Sequence, residues 1–340
     1  MTSLLRWSLT AIVLIASLGT ACRSRPEAID AAKSPEQVVF ARSQDDVVSG
    51  GMMFSPLRDS ARPVAILWIH GWGVNFYEPS YVAIGRALAQ QGYAVIDGNT
   101  RMHDLGNVMA RRGGKRIRGG GYWGVASEEA RDIAAWIDLA EANGFKRVVL
   151  AGHSAGWGAV RSYVAQVGDP RVVGLVLASG SVQPDLRTSD PEQLREAHRL
   201  MAAGEGDALV RDPKRDFPSY VSAATFLDID VFLNDPAARD FFGVQVANAS
   251  IARVRIPLLA FFGTRDDVGG QVDLDTIVSA VRRHQGGTAN VTTALIDGGV
   301  DQIRFLAVDL LDFAQSTKFL CPLEDKPHHV DGESGRSIVQ

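Results

Sequence analysis

Arg147-Val148-Val149-Leu150-Ala151-Gly152-His153-Ser154-Ala155-Gly156 is the stretch that decides how this 340-residue chain is organised. Its first five residues are a short apolar run of the kind a buried strand requires. Ala155 to Val167 continues as a helical stretch, so the chain must turn from strand to helix at Ser154. Glycine stands two residues to either side of that serine. A corner so tight presses backbone against backbone, and only a residue without a side chain tolerates the crowding. The corner would lift the Ser154 hydroxyl above the sheet edge. The helix that starts there would aim its free N–H groups and positive dipole end at the same place.

Outward from this corner, short apolar runs alternate with amphipathic stretches, which predicts a mostly parallel sheet with helices on both faces. Val38 to Arg42 and Val47 to Phe54 read as an opening hairpin. Val64 to Ile69, Tyr93 to Ile96, Val172 to Ala178, Ile256 to Phe262 and Val291 to Ile296 read as strands. Helices are expected over about Tyr81 to Gln91, over Glu128 to Asn143, where Ile133, Trp136, Ile137 and Ala140 share a face, and over about Gln302 to Ala314. From about 183 to 255 the rhythm stops, and a charged, helical segment broken by prolines reads as a cap inserted into the domain.

The ends differ from the middle. Arg6 followed by the apolar run Trp7 to Leu18 suits a signal peptide over residues 1–21. Leu18-Gly19-Thr20-Ala21-Cys22 resembles a bacterial lipoprotein cleavage site, which would make Cys22 a lipidated first residue anchored in the cell envelope. Gly19-Thr20-Ala21 also fits an ordinary cleavage site. The chain has two cysteines, Cys22 and Cys321, so an unacylated Cys22 could instead form a disulfide with Cys321. Residues 22–36 read as a tether, 37–320 as the folded domain and 321–340 as a polar tail. In that tail His328-His329 is a solvated end before it is a metal pair.

With 46% hydrophobic residues the chain can bury one large core. Lys plus Arg number 35 against 39 Asp plus Glu, so no chain-wide field favours nucleic acid. The segment Arg111 to Gly121 carries five cations and five glycines. It could hold an anionic group, but it lacks the Gly-Lys-Ser/Thr ending of a phosphate-binding loop, and a mobile solvated loop is the expectation. Nothing else in the sequence asks for a cofactor or a metal. The oligomeric state is not legible.

The motifs His70-Gly71-Trp72-Gly73-Val74-Asn75-Phe76-Tyr77-Glu78-Pro79, Asn99-Thr100-Arg101-Met102-His103-Asp104, Trp136-Ile137-Asp138 and Gly152 to Gly156 occur in an order that resembles the α/β-hydrolase superfamily, over about Val64 to Leu311. The resemblance implies an α/β-hydrolase fold with a helical cap, and cleavage of an ester or related carbonyl bond in a small-molecule substrate. Ser154 would be the nucleophile, and the backbone N–H groups of Trp72 and Ala155 the oxyanion hole. His70 and His153 would be structural. The acid of the triad should follow the strand ending Phe261-Phe262-Gly263, which points to Asp266 rather than Asp267.

The triad histidine should precede the final helix, and there the sequence reads Gly298-Gly299-Val300-Asp301. Asp301 occupies the imidazole's position. With an ordinary pKa of about 3.9 a carboxylate is a poor base towards a serine hydroxyl, and Asp301 also suits the N-cap of the last helix. His103 is the one other histidine whose topology allows an approach to Ser154, as a base or as a structural residue of the loop after Tyr93 to Ile96. Two functions follow: an esterase-like serine hydrolase with an unusual or missing base, or a non-hydrolytic protein that keeps the fold and pocket.

Overall fold

The computed structural model describes residues 35–57, 62–215, 218–285 and 290–298. The expected signal peptide, Cys22, the tether up to residue 34, Asp301, the last helix, Cys321 and the polar tail lie outside the described residues.

In chain order the elements are β1 (Glu36–Arg42), β2 (Val47–Phe54), β3 (Val64–Ile69), α1 (Pro79–Gln90), β4 (Ala94–Gly98), β5 (Asn107–Arg111), β6 (Arg116–Gly119), α2 (Glu129–Ala142), β7 (Arg147–His153), α3 (Ala155–Gln166) and β8 (Val172–Ala178). A cap follows with α4 (Pro191–Ala202), β9 (Leu209–Arg211), β10 (Tyr220–Ser222), α5 (Ala223–Leu233) and α6 (Pro236–Arg239). The domain then resumes with β11 (Leu258–Gly263), α7 (Gln271–Gln285) and β12 (Val291–Ile296). The sheet order is β12-β11-β8-β7-β3-β4-β2-β5-β6, with β1 also paired to β2. From β12 to β4 all neighbours are parallel, and β2, β1, β5 and β6 add antiparallel pairs.

Period-two alternation explains why β3 reads as uniformly apolar. Ala65, Leu67 and Ile69 enter the core layer that also holds Ile133 and Trp136 of α2, Val160 of α3 and Ile277 of α7. Val64, Ile66 and Trp68 enter the opposite layer with Tyr81, Ile84 and Leu88 of α1. Both faces are covered, so no position in the strand can be polar. The strand ends on the C-terminal side carry the loops 70–78, 99–106 and 153–155, and the site forms there.

Two expectations are corrected. Arg111 to Gly121 is not a loose loop, because Arg116 to Gly119 pairs with Asn107 to Ala110 in a hairpin that extends the main sheet. The turn is supplied by Gly113 and Gly114, both at positive φ (+83° and +79°), a conformation glycine adopts without cost. Composition exposed the glycine and the charge and concealed the strand partner. In the cap, Pro191 and Pro236 start helices rather than break them: both stand in a first turn, behind Asp190 and Asp235, whose side chains accept the orphan N–H groups. The cap also has a small core of its own, built from Ala197, Leu200, Val210, Val221 and Phe226.

Candidate active site

Ser154 follows β7 directly and caps α3, with φ 53° and ψ −117°. A side chain at positive φ costs on the order of 1–3 kcal/mol, and the surroundings hold it there. A Cβ on Gly156 would lie 2.5 Å from the carbonyl oxygens of both Ile69 and His70. One on Gly152 would lie 2.8 Å from the nitrogen of Trp157 and run into the Gly156 carbonyl. The Ser154 N–H donates to the Ala178 oxygen at 3.0 Å. Ser154 is half-buried, Ala155 is exposed, and the first turn of α3 begins there.

The loop after β3 lies against this corner, since a Cβ on Gly71 would be 3.2 Å from the Ser154 Cβ. Its placement is fixed from several sides. The His70 ring sits 2.7 Å from the Gly71 oxygen through Nδ1, and its Nε2 accepts the Thr100 N–H at 3.0 Å. Both nitrogens are therefore occupied, with Nδ1–H as the donor. Burial pushes the imidazole down to about 4, which keeps it neutral and suited to this brace. The Tyr81 hydroxyl accepts the Gly71 N–H at 3.0 Å and lies 2.8 Å from His153 Nδ1, so it ties together α1, the loop and the strand-to-helix elbow at Ser154.

Asn99 to Asp104 supplies the rest of the brace. Asn99 Oδ1 accepts the Phe76 N–H at 2.8 Å, and its carbonyl accepts from Trp136 Nε1 at 2.8 Å. Thr100 donates its hydroxyl to Glu129 at 2.6 Å. Arg101, almost wholly buried, makes a two-pronged pair with Asp132 of α2, at 2.9 Å on each arm, and also reaches Asp45 and Glu128. Each of these partners lies far from the loop in sequence. The sequence marked the Asn99 to Asp104 and Trp136 motifs without showing that they serve one purpose; Tyr81 and Glu129 carried no signal at all.

Three imidazoles lie around the corner. His70 is committed to the brace. His153, directly before the serine, turns to Tyr81 rather than to Ser154. Burial lowers it to about 4, although the Asp266 carboxylate acts in the opposite sense. Its Nε2 is buried without a partner among the described residues. His103 binds Asp104 Oδ2 through Nδ1 at 2.9 Å, and Asn75 Nδ2 holds the other oxygen of Asp104 at 2.6 Å. Donation from Nδ1 leaves Nε2 as the acceptor, which is the tautomer a base needs. The structure brings His103, through Asp104, to the loop after β3 but forms no hydrogen bond between it and Ser154.

Asp266 stands three residues beyond the end of β11, the place where the resemblance puts the acid. One carboxylate oxygen accepts the Val268 N–H at 2.9 Å, and the other is buried without a partner among the described residues. Asp267 is exposed. Trp72 packs edge-on against Tyr122, and its Nε1 donates to the Gly121 oxygen at 3.3 Å. The cap is bonded to this same segment: Ser222 N–H to the Tyr122 oxygen at 2.8 Å and Thr225 Oγ1 to the Gly124 oxygen at 3.0 Å. A cavity of about 300 Å³ between α7 and the 242–244 segment shares no residue with the elbow. Among the described residues no group of three or more His, Cys, Asp or Glu could hold a metal ion.

No family model matches the chain, and no curated protein matches it. Solved structures do. The open form of a lipase superposes with a TM-score of 0.56 at 17% identity, covering 83% of this chain and 98% of that one. A thermostable carboxyl esterase from Bacillus coagulans gives 0.55 at 16% identity, with 83% and 99% covered. Est1E from Butyrivibrio proteoclasticus, solved with ferulic acid, gives 0.53 at 15% identity, with 82% and 98% covered. The chain has an α/β-hydrolase fold. Its structural neighbours are esterases and lipases.

Proposed function

We propose that the protein is an esterase-like serine hydrolase acting on a small ester or related carbonyl substrate through Ser154, with an atypical base. The observation that carries this reading is the backbone of Ser154, held at positive φ by two glycines at a strand-to-helix corner, a strain with no structural need if the residue only turned the chain. The Ser154 oxygen attacks the carbonyl, and the N–H groups of Trp72 and Ala155 take the developing charge. The alcohol leaves with a proton, and water then cleaves the acyl-enzyme. His103, oriented by Asp104, is the candidate to carry those protons, with Asp266 in the acid position of the superfamily pattern.

A fluorophosphonate that reacts with activated serines tests the nucleophile without knowledge of the substrate. Wild type should label and Ser154→Ala should not; an unlabelled wild type overturns the proposal. Labelling that survives in His103→Ala removes His103 as the base and leaves the hydrolase assignment standing.

One observation favours the second reading, a non-hydrolytic protein that keeps the pocket. Among the described residues the Ser154 hydroxyl has no imidazole partner, and a serine without its base loses several orders of magnitude in rate. The same labelling experiment separates the two.

Export and anchoring through a lipidated Cys22 belong to this proposal and rest on sequence alone. Cys22→Ala should release the protein from membranes, whereas soluble wild type with a Cys22–Cys321 bond would reject the anchor.

A further inference from the structure

We infer that the outer face of the sheet extension formed by β1, β2, β5 and β6 is a docking surface for an anionic lipid bilayer. Paired residues of neighbouring strands point to the same face, so the register defines what that face presents. Phe40 pairs with Gly50, Arg42 with Val48, and Val48 in turn with Ala110. Ala110 pairs with Arg116, and Val108 with Arg118. Alternation adds Val38 to this side. The opposite side is closed, because Ala41, Val47 and Met109 are buried there.

On the open side, Val38, Phe40 and Val108 are 57%, 65% and 61% exposed. Three large apolar side chains on one face, left in water, have no folding reason to be there, and clustered exposure of this kind marks a contact surface. Cations surround them. Arg42, Arg112, Lys115 and Arg116 are exposed and form no ion pair among the described residues. Arg118 stacks on Trp123 at 5.2 Å and lies 3.9 Å from the exposed Asp207. No acidic residue occurs between Asp104 and Glu128. Glu36, the acid on this side of β1, is already paired with Arg86 at 2.7 Å. Asp45, in the β1–β2 turn, is committed to Arg101.

The chain as a whole is slightly acidic, with a formal net charge of −4, so the local excess of cations is a property of this face. Apolar side chains interleaved with arginines, with Glu36 and Asp45 already paired and only Asp46 of the same turn and Asp207 as nearby acids, match the boundary between anionic headgroups and acyl chains. There apolar groups bury and cations snorkel to phosphate. The face also adjoins the oxyanion loop: Phe76 of that loop and Phe40 both lie over Gly50, 3.7 and 3.6 Å from the point where its Cβ would stand. Docking there would set the mouth of the site beside the membrane. The inference does not depend on Ser154 being active.

The test uses the full chain with Cys22→Ala and Cys321→Ala, which removes the proposed anchor, and an environment-sensitive dye on Val108→Cys or, separately, on Phe40→Cys. Val272→Cys on α7, a position 76% exposed, is the control. With vesicles of equimolar phosphatidylcholine and phosphatidylglycerol the dyes at 108 and 40 should shift to the blue while the dye at 272 does not. Phosphatidylcholine alone should give little shift. Arg42→Glu with Arg116→Glu should weaken vesicle binding by at least about fivefold per residue. Dyes at 108 and 40 that stay unshifted, or a dye at 272 that shifts equally, would overturn the inference. So would a blue shift that appears without vesicles as protein concentration rises, since a second copy of the chain would then be the occupant.

Discussion

Around the loop after β3, beside Ser154, both nitrogens of His70 are bonded, Tyr81 joins Gly71 to His153, and Arg101 is locked to Asp132. On the side of the proposed acid, one oxygen of Asp266 and Nε2 of His153 are buried without partners among the described residues. A buried polar group without a partner costs roughly 1–3 kcal/mol, so a fold keeps such atoms where something else meets them. The first side is a scaffold whose work is finished when the chain folds. On the second side Asp266, the proposed acid, keeps an oxygen that no described residue meets.

Tyr81→Phe would break the finished side and should have the largest effect. It removes the acceptor of the Gly71 N–H and the partner of His153 Nδ1, each loss being worth roughly 1–3 kcal/mol. Urea denaturation should register the drop, and fluorophosphonate labelling should slow with it. A loss below about 0.5 kcal/mol, the size of an ordinary surface change, would show that the brace is not what holds the loop.

Asp301→His addresses the other side. If the acid side awaits an imidazole, this replacement restores the superfamily pattern of Ser154, Asp266 and histidine. Labelling should then rise at least about tenfold, a modest share of what general base catalysis supplies. An unchanged rate in a folded variant would mean that Asp266 no longer faces the serine usefully.

Asp97 gives the smallest effect and guards against reading every unpartnered atom as a site. It is buried in β4, both its oxygens lack partners among the described residues, and burial drives its pKa well above the carboxylate range. A raised folded pKa contributes stability that is full below the ordinary carboxylate pKa and is lost as pH rises through the folded value. Asp97→Asn should therefore flatten the decline of the unfolding midpoint as pH rises above the ordinary carboxylate range, by a few degrees for a wild-type loss of about 1 kcal/mol. Parallel pH profiles for variant and wild type would show that Asp97 ionises freely.

The elbow was legible because it is local. Strand, glycine, serine, glycine and helix lie within a few residues, and the backbone conformation they require follows from sterics alone. The same holds for the parallel strands, whose burial on both faces forces continuous apolar runs. Arg111 to Gly121 departs from the loop its composition suggests because the hairpin forms where β2 offers β5 an edge to pair with, and neither composition nor charge reveals that edge.

The sequence by itself determined the fold class and the place of Ser154 between strand and helix, since both depend on order and spacing along the chain, and the resemblance alone carries the readings of Asp266 and Asp301. Only the tertiary structure decided what the intervening motifs do. That Thr100 holds His70, that Tyr81 bridges Gly71 and His153, and that Arg101 answers Asp132 and Asp45 are contacts across about ten to seventy residues of chain. Such contacts arise from the crossovers of the sheet, which bring distant loops to one edge, and no local pattern encodes which of them will meet.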